Sequence, residues 1–268
     1  MMKKWFLIFV LAISFTQCED VIDVDLNTAD SRLVIDARLE LMGDGTSRNA
    51  VRLTRSSAFF EEVNPVVSDA SVQVIVNNGI SFPFRFDEQR NLYVNNNLNL
   101  QEGANYTLEI VDGNNSYRAN QRLISTVPLS NIEQTEVDGF GDFTQITAFF
   151  QDPEGLGNYY LFTYDDPNNF QLDVSDDEFI DGNLTPTSFF IEELEPGTDI
   201  RLSITGIDSQ AFQFFETLIQ QTDDSGGGPF DTQPAIVKGN VFNERNPDRF
   251  PFGYFRVAQV YELNYVSE

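Results

Sequence analysis

The segment RLVIDARLEL, residues 32–41, alternates apolar and polar side chains along most of its length. One face carries the apolar residues Leu33, Ile35, Ala37, Leu39 and Leu41, and the other carries Asp36, Arg38 and Glu40. Successive side chains of a β-strand point to opposite faces of its sheet, so this alternation predicts a strand with one buried face.

The same alternation recurs up to residue 125. Apolar residues stand two apart at Val72, Val74 and Val76, and again at Phe82, Phe84 and Phe86. The turn sequences Asn77-Asn78-Gly79 and Asp112-Gly113 separate such runs. Roughly seven short strands with a turn about every ten residues predict an immunoglobulin-like antiparallel β-sandwich over residues 30–125.

Residues 126–268 are expected to form a second β-rich domain. Its predicted strands are 144–150, 159–164, 188–191, 200–206, 236–241 and 253–265. The segment Ser209–Gln221 instead places its apolar side chains three and four residues apart, which predicts one α-helix near residues 209–221. Asp208 or Ser209 is suited to cap its N-terminus.

The N-terminus has the pattern of an export signal. Lys3 and Lys4 precede Trp5–Ile13, an apolar run too short to span a bilayer, which needs about 20 residues. Residues 1–17 are therefore predicted to be a signal peptide rather than a membrane helix. Cys18, the single cysteine of the chain, follows directly and is the predicted lipid attachment site, with residues 18–29 as an acidic tether.

Composition excludes several classes of function. The chain has 42 acidic and 16 basic residues, a net charge of −26, which excludes a nucleic-acid partner. It contains no histidine, which excludes Ser-His-Asp triads, Cys-His dyads and His-ligated zinc or haem. We therefore expect a protein that is not an enzyme, with no catalytic residue, no cofactor and no assigned metal ligand.

Acidic residues are densest over residues 165–199, which hold eleven acids and no base. An EF-hand starting at Asp173 fails, because Glu178 stands where glycine is needed and Leu184 where glutamate is needed. A looser calcium loop around Asp176, Glu178 and Asp181 remains an alternative to the expected solvated loop.

Aromatic residues flank the Asp- and Asn-rich segment at residues 165–169. Tyr159, Tyr160, Tyr164 and Phe170 could contact a sugar or a peptide beside these carboxamides. The alternative is that these rings are core residues of alternating strands.

Six segments in this order and spacing resemble a family of Bacteroidota outer-membrane lipoproteins of unknown function. They are CEDVIDVDL, RLVIDARL, VSDASVQVIV, EGANYTLEI, DPEGLGNYYLF and GYFRVAQV, and they span nearly the whole chain after Cys18. The resemblance implies an outer-membrane location and a gene neighbour encoding a TonB-dependent receptor with a carboxypeptidase-like regulatory domain. It also implies that Glu19 and Asp20 direct the lipoprotein to the cell surface, and it supplies no catalytic residues.

Three hypotheses follow. The first is a lipid-anchored accessory protein that acts with a TonB-dependent transporter in the capture or uptake of a nutrient that the sequence does not identify. The second is a structural or adhesive envelope lipoprotein that binds divalent cations through its acidic second half. The third is a hydrolase that depends on a pair of carboxylates.

Overall fold

The alternating segment at residues 32–41 forms the strand that the sequence predicts. In the computed structural model, which describes residues 30–57, 63–137, 143–222 and 236–268, it is strand β1 (Leu33–Met42). The predicted apolar face is buried at Leu33, Ile35, Ala37 and Leu39. Glu40 lies on the charged face, which the alternation leaves exposed, but the structure buries it to 5% exposure.

The described residues form sixteen strands and one helix. After β1 these are β2 (Ser47–Arg55), β3 (Ser71–Val76), β4 (Ile80–Pro83), β5 (Arg85–Asp87), β6 (Leu92–Val94), β7 (Asn105–Asp112), β8 (Asn115–Arg122), β9 (Leu129–Val137), β10 (Phe143–Gln151), β11 (Tyr159–Asp165), β12 (Phe170–Asp176), β13 (Leu184–Glu192), β14 (Asp199–Ile207), α1 (Ser209–Thr222), β15 (Phe242–Asn243) and β16 (Phe252–Val266). Three sheets result, with strand orders β12-β11-β14-β16-β1-β2-β6-β5, β13-β10-β9 and β15-β8-β7-β3-β4.

The described residues form two larger hydrophobic cores, one mainly from each half of the sequence, and a smaller one under α1. In the first half the five-stranded sheet packs on β1, β2 and the adjoining part of the eight-stranded sheet, with Tyr106, Leu108 and Ile110 fully buried between them. In the second half the three-stranded sheet packs on β11 and β14 around Phe150 and Phe162. The predicted class, mainly β with an antiparallel sandwich followed by a β-rich part carrying one helix, is confirmed.

Strand β16 belongs to both cores. Its first part pairs with β1 in parallel and buries Phe255 and Val257 in the first core. Its last part pairs antiparallel with β14 and packs Leu263 against the second core. Residues 31–268 form one compact unit. The division into domains at 30–125 and 126–268 stays a prediction, and the parallel β1–β16 pairing was not foreseen.

Helix α1 matches the predicted helix. Asp208 caps it, since its Oδ1 accepts a hydrogen bond from the Ala211 backbone N–H at 2.7 Å. The helix lies on one face of the eight-stranded sheet and buries Ala211, Phe214 and Phe215 against Leu161 and Tyr254.

Two sequence predictions about local structure are wrong. Residues 236–241 form no strand, because the Asn240 side chain bonds both the N–H and the carbonyl of Phe255 in place of a backbone ladder. The acidic stretch 165–199 is not a solvated loop for most of its length, because β12 and β13 occupy it.

Candidate functional site

Three carboxylates meet where the three-stranded sheet packs on the eight-stranded sheet, and we call them the acidic cluster. Asp152 directly follows β10, Asp177 directly follows β12, and Asp181 lies in the turn before β13. Each offers a carboxylate oxygen, and these oxygens all lie within 4.8 Å of one another. Residues separated by 25 positions in sequence meet here because β10 and β12 end at the same edge of the sandwich.

Glycine-rich backbone holds the acidic cluster in place. The N–H groups of Gly157 and Asn158 donate to Asp177 at 2.8 and 2.9 Å, and the N–H of Gly155 donates to Asp181 at 2.6 Å. Both glycines have a φ of +115°, a backbone conformation that favours glycine. The loop between β10 and β11 is therefore shaped around the carboxylates.

Asp152 has its own set of partners. Its Oδ2 accepts a hydrogen bond from the Gly182 N–H at 3.0 Å, and its Oδ1 accepts one from the Tyr160 hydroxyl. Burial and this contact with the carboxylate raise the pKa of Tyr160, so the phenol stays protonated and donates.

Hydrogen bonds favour the ionised form of Asp177 despite its burial. Asp152 is 1% exposed and Asp177 is 3% exposed. Burial acts to raise the pKa of Asp177, but the N–H groups of Asn158 and Gly157 outweigh it and lower that pKa. None of the three carboxylates forms an ion pair with lysine or arginine within the described ranges. Hard cations such as Ca²⁺ prefer ligands of this kind.

The calcium loop around Asp176, Glu178 and Asp181 stays a hypothesis, and the structure does not bring these three residues together. Asp181 belongs to the cluster, whereas Asp176 and Glu178 do not. Asp176 instead accepts a hydrogen bond from the Glu178 backbone N–H at 3.2 Å, and the Glu178 side chain is exposed. Asp152 was missed, although it opens the segment DPEGLGNYYLF that carries part of the family resemblance.

The aromatic residues near 159–170 are mostly core residues. Tyr160 and Tyr164 are buried, and Tyr159 packs on Phe212 with 5.4 Å between ring centroids. Phe170 is the exception, with 64% of its surface exposed. The interpretation of these rings as core residues of strands is therefore right for the two buried tyrosines.

The Asp165–Asn169 segment is a closed polar turn. Asp166 accepts hydrogen bonds from the Tyr164 hydroxyl and from the N–H groups of Asn168 and Asn169, each at 2.7 Å. Burial opposes the shift, but these donors lower the pKa of Asp166. Its carboxylate is thus committed to hydrogen bonds within the turn.

Cys18, the predicted signal peptide 1–17 and the tether 18–29 lie outside the described residues. Among the residues that the structure does describe, no helix combines the length and the apolar character needed to cross a membrane.

Comparison with known protein families identifies the chain. A family model described as a domain of unknown function (DUF4249) matches residues 19–264. The chain therefore belongs to this family, and the match begins one residue after Cys18. No curated protein shows significant similarity to the chain.

Several solved structures of other proteins show distant similarity. A cytokine receptor complex is 14% identical, with 67% of this chain and 85% of that chain covered and a TM-score of 0.26. A segment of two fibronectin type III domains from chicken tenascin is 14% identical, covering 67% and 93% with a TM-score of 0.21. The chicken interferon gamma receptor alpha chain is 11% identical, covering 68% and 91% with a TM-score of 0.22.

Proposed function

We propose that this protein is a non-catalytic outer-membrane lipoprotein, anchored through Cys18 at the cell surface, that acts with a TonB-dependent transporter in nutrient capture or uptake. The observation that carries the proposal is the family match over residues 19–264, which starts immediately after Cys18 and leaves the predicted signal peptide outside it. The absence of histidine from the whole sequence agrees with a binding role, since it removes the commonest general base.

The transporter part of the proposal rests on the family resemblance of the sequence. A lipid anchor would confine the protein to the membrane that holds such a receptor. Confinement raises the effective concentration of the two partners, so even partners with a weak affinity would be bound to each other.

Co-purification from native membranes tests this function. A C-terminally tagged protein is extracted in mild detergent, alongside a Cys18→Ala variant as the matched control. We expect a large β-barrel receptor to co-elute with the wild type and to be lost or strongly reduced with the variant. A wild-type protein that remains in the membrane fraction but elutes without any receptor would contradict the proposal.

A second function, an envelope protein that binds divalent cations, is favoured by the acidic cluster. Its three carboxylates lie within 4.8 Å of one another with no lysine or arginine ion pair in the described parts of the chain. A bound cation would offset the repulsion between these like charges and would stabilise the folded state by mass action.

Calcium titration separates the two functions. If the acidic cluster binds Ca²⁺, millimolar calcium should raise the Tm of the wild type, and Asp177→Asn should abolish the rise. Glu178→Gln is the matched control, because Glu178 is exposed and lies outside the cluster. Equal rises in wild type and Asp177→Asn would eliminate the cluster as the cation site.

A further inference from the structure

A cavity of about 490 Å³ lies on the face of the eight-stranded sheet that also carries α1. We call it the sheet groove, and its charged lining residues are Asp36, Arg38, Glu40, Arg48, Arg90, Asp165, Arg201, Arg256 and Glu262. Its volume is within the range of small-molecule sites, about 300–1,000 Å³.

The sheet groove has a charge balance opposite to that of the chain. It holds five of the 16 basic residues of the protein but only four of the 42 acidic residues. A chain with a net charge of −26 thus has a concave surface with an excess of one positive charge. This local excess would attract an anion that the rest of the surface repels.

Two arginines lie side by side in the floor of the sheet groove. Arg38 on β1 and Arg256 on β16 are direct partners in the parallel register, so their backbones are about 4.8 Å apart. Burial is the main cause that lowers the pKa of Arg256; Glu40 and Asp36 oppose this shift, and repulsion from the Arg38 guanidinium adds to it. A ligand anion beside both would convert this repulsion into attraction.

The protein's own acids do not satisfy these arginines completely. Arg38 lies 3.4 Å from Asp36, and Arg256 lies 3.5 Å from Glu40. The Nε of Arg256 is buried without a hydrogen-bond acceptor, and the Nε of Arg38, the atom that lies 3.4 Å from Asp36 Oδ2, is buried without a hydrogen bond of good geometry. A buried donor without an acceptor is costly, and such groups in a cavity point to an unseen acceptor.

Other residues of the sheet groove extend this donor set. Arg90 lines the groove and has no ion-pair partner in the described residues. Arg48 is already shared between Glu40 and Glu262, and Arg201 pairs with Asp165. Arg38 and Arg256 also lie near Asp36 and Glu40, but each keeps a buried Nε without a hydrogen bond, so these two and Arg90 have donor capacity for a ligand.

Apolar side chains line the same cavity. Phe170 is 64% exposed, and the Phe215 ring lies 5.7 Å from the Arg256 guanidinium carbon. Leu92, Leu172 and Val260 complete this apolar part of the lining. A ligand that fits both parts carries an anionic group next to an apolar or aromatic group.

We propose that the sheet groove binds a small organic carboxylate, with the carboxylate on Arg38, Arg90 and Arg256 and an apolar group against Phe170 and Phe215. A monoanion matches the single excess positive charge, whereas a dianionic phosphate would meet Glu40, Asp165 and Glu262 with no cation left to balance its second charge. Guanidinium groups bind planar carboxylates through paired hydrogen bonds. This inference goes beyond the transporter role and does not depend on the anchor.

Titration of the purified full-length protein in detergent tests the proposal. The probe is N-acetylphenylalanine, which has one carboxylate beside an aromatic ring, and its amide is the uncharged control. Calorimetry should show saturable binding of the acid and at least tenfold weaker binding of the amide. Inorganic phosphate is titrated separately to distinguish an organic carboxylate from a free anion.

Variants locate the site. Arg38→Gln and Arg90→Gln should each weaken binding of the acid by about tenfold, the loss of one charge-assisted contact. Arg122→Gln is the matched control, since Arg122 is exposed on β8 in the five-stranded sheet, outside the groove lining, and its loss should leave binding unchanged. Arg90 is exposed, so its variant reports on binding even if Arg38→Gln fails to fold.

Three results would overturn the proposal. These are no binding of the acid, equal affinity for acid and amide, or wild-type affinity in both Arg38→Gln and Arg90→Gln. Phosphate binding as tight as that of the acid would also overturn it, because the apolar part of the groove would then contribute nothing. Failure of receptor co-purification would leave this result untouched, so the two proposals are tested separately.

Discussion

Replacing Glu40 by glutamine should destabilise the fold strongly. The Glu40 side chain is 7% exposed and receives a hydrogen bond from Arg48 Nε at 2.7 Å. Arg256, whose side chain is 15% exposed, lies 3.5 Å from its other oxygen. Glutamine keeps the size and one acceptor oxygen but removes the charge that balances Arg256.

The size of the expected stability loss depends on which of the two arginines, Arg48 or Arg256, is buried. Arg48 is 43% exposed, so water compensates it for most of the loss. Arg256 is enclosed, and removing one partner of a buried pair costs about 3–5 kcal/mol. Because glutamine can still accept from Arg48, we expect a loss near the lower limit, about 3 kcal/mol of unfolding free energy.

Urea denaturation at pH 7 measures this loss, and pH provides a second test. Burial acts to raise the pKa of Glu40, but Arg256 and Arg48 outweigh it and lower that pKa below its ordinary value. A carboxylate with a lowered folded pKa contributes stability above its unfolded pKa, and this contribution is lost as pH falls through the folded value. The difference between wild type and Glu40→Gln should therefore shrink in acid.

Asp36→Asn is the control for the same strand. Asp36 is 50% exposed and pairs with Arg38 at 3.4 Å, so its loss should cost at most about 1 kcal/mol. If Glu40→Gln cost no more than Asp36→Asn, or if its cost were constant down to acidic pH, the argument from a buried charge pair would be refuted.

Three further substitutions test other parts of the fold by urea denaturation. Asp208→Ala removes the cap of α1 together with the hydrogen bonds that Asp208 accepts from Gln121 and Tyr254, so it should cost at least about 1 kcal/mol. Exposed Ser209→Ala should cost little, and equal effects would argue against these contacts of Asp208. Gly239→Ala places a Cβ against the Gly253 carbonyl oxygen and should cost about 1–3 kcal/mol. Gly79→Ala, whose Cβ meets nothing nearer than 3.8 Å, should be nearly neutral, and a neutral Gly239→Ala would contradict the close approach of the two backbones. Phe255→Ala should cost about 3–5 kcal/mol because Phe255 is fully buried, whereas Phe242→Ala should cost less because Phe242 is half exposed. A small loss for Phe255→Ala would mean that β16 does not complete the first core.

Elements fixed by short-range patterns could be predicted from sequence. The alternation in β1, the helix at 209–222 and the Asn77-Asn78 turn all follow from local rules. Both asparagines of that turn have positive φ, 51° and 56°, as a tight hairpin turn of this type requires.

Features that depend on distant segments could not be predicted. The parallel pairing of β1 with β16 joins residues more than 200 positions apart, and no local pattern marks it. Glu40 reads as an exposed residue of an alternating strand, yet β2 and β16 bring Arg48 and Arg256 beside it.

The candidate sites were missed for the same reason. The acidic cluster needs Asp152 as well as Asp177 and Asp181, and among 42 acidic residues the sequence cannot show which ones meet. The sheet groove collects its arginines from β1, β2, β14, β16 and the loop before β6, so its charge is invisible in any one segment.

The proposed function depends first on the anchor, and fatty-acid labelling at Cys18 tests it most directly. Cells expressing the tagged protein are grown with labelled palmitate, and the protein is analysed by mass spectrometry. We predict that the wild type carries the label on an N-terminal Cys18, and that Cys18→Ala is unlabelled and released from the membrane. An unlabelled wild-type protein, or one whose mature N-terminus lies elsewhere, would contradict the account.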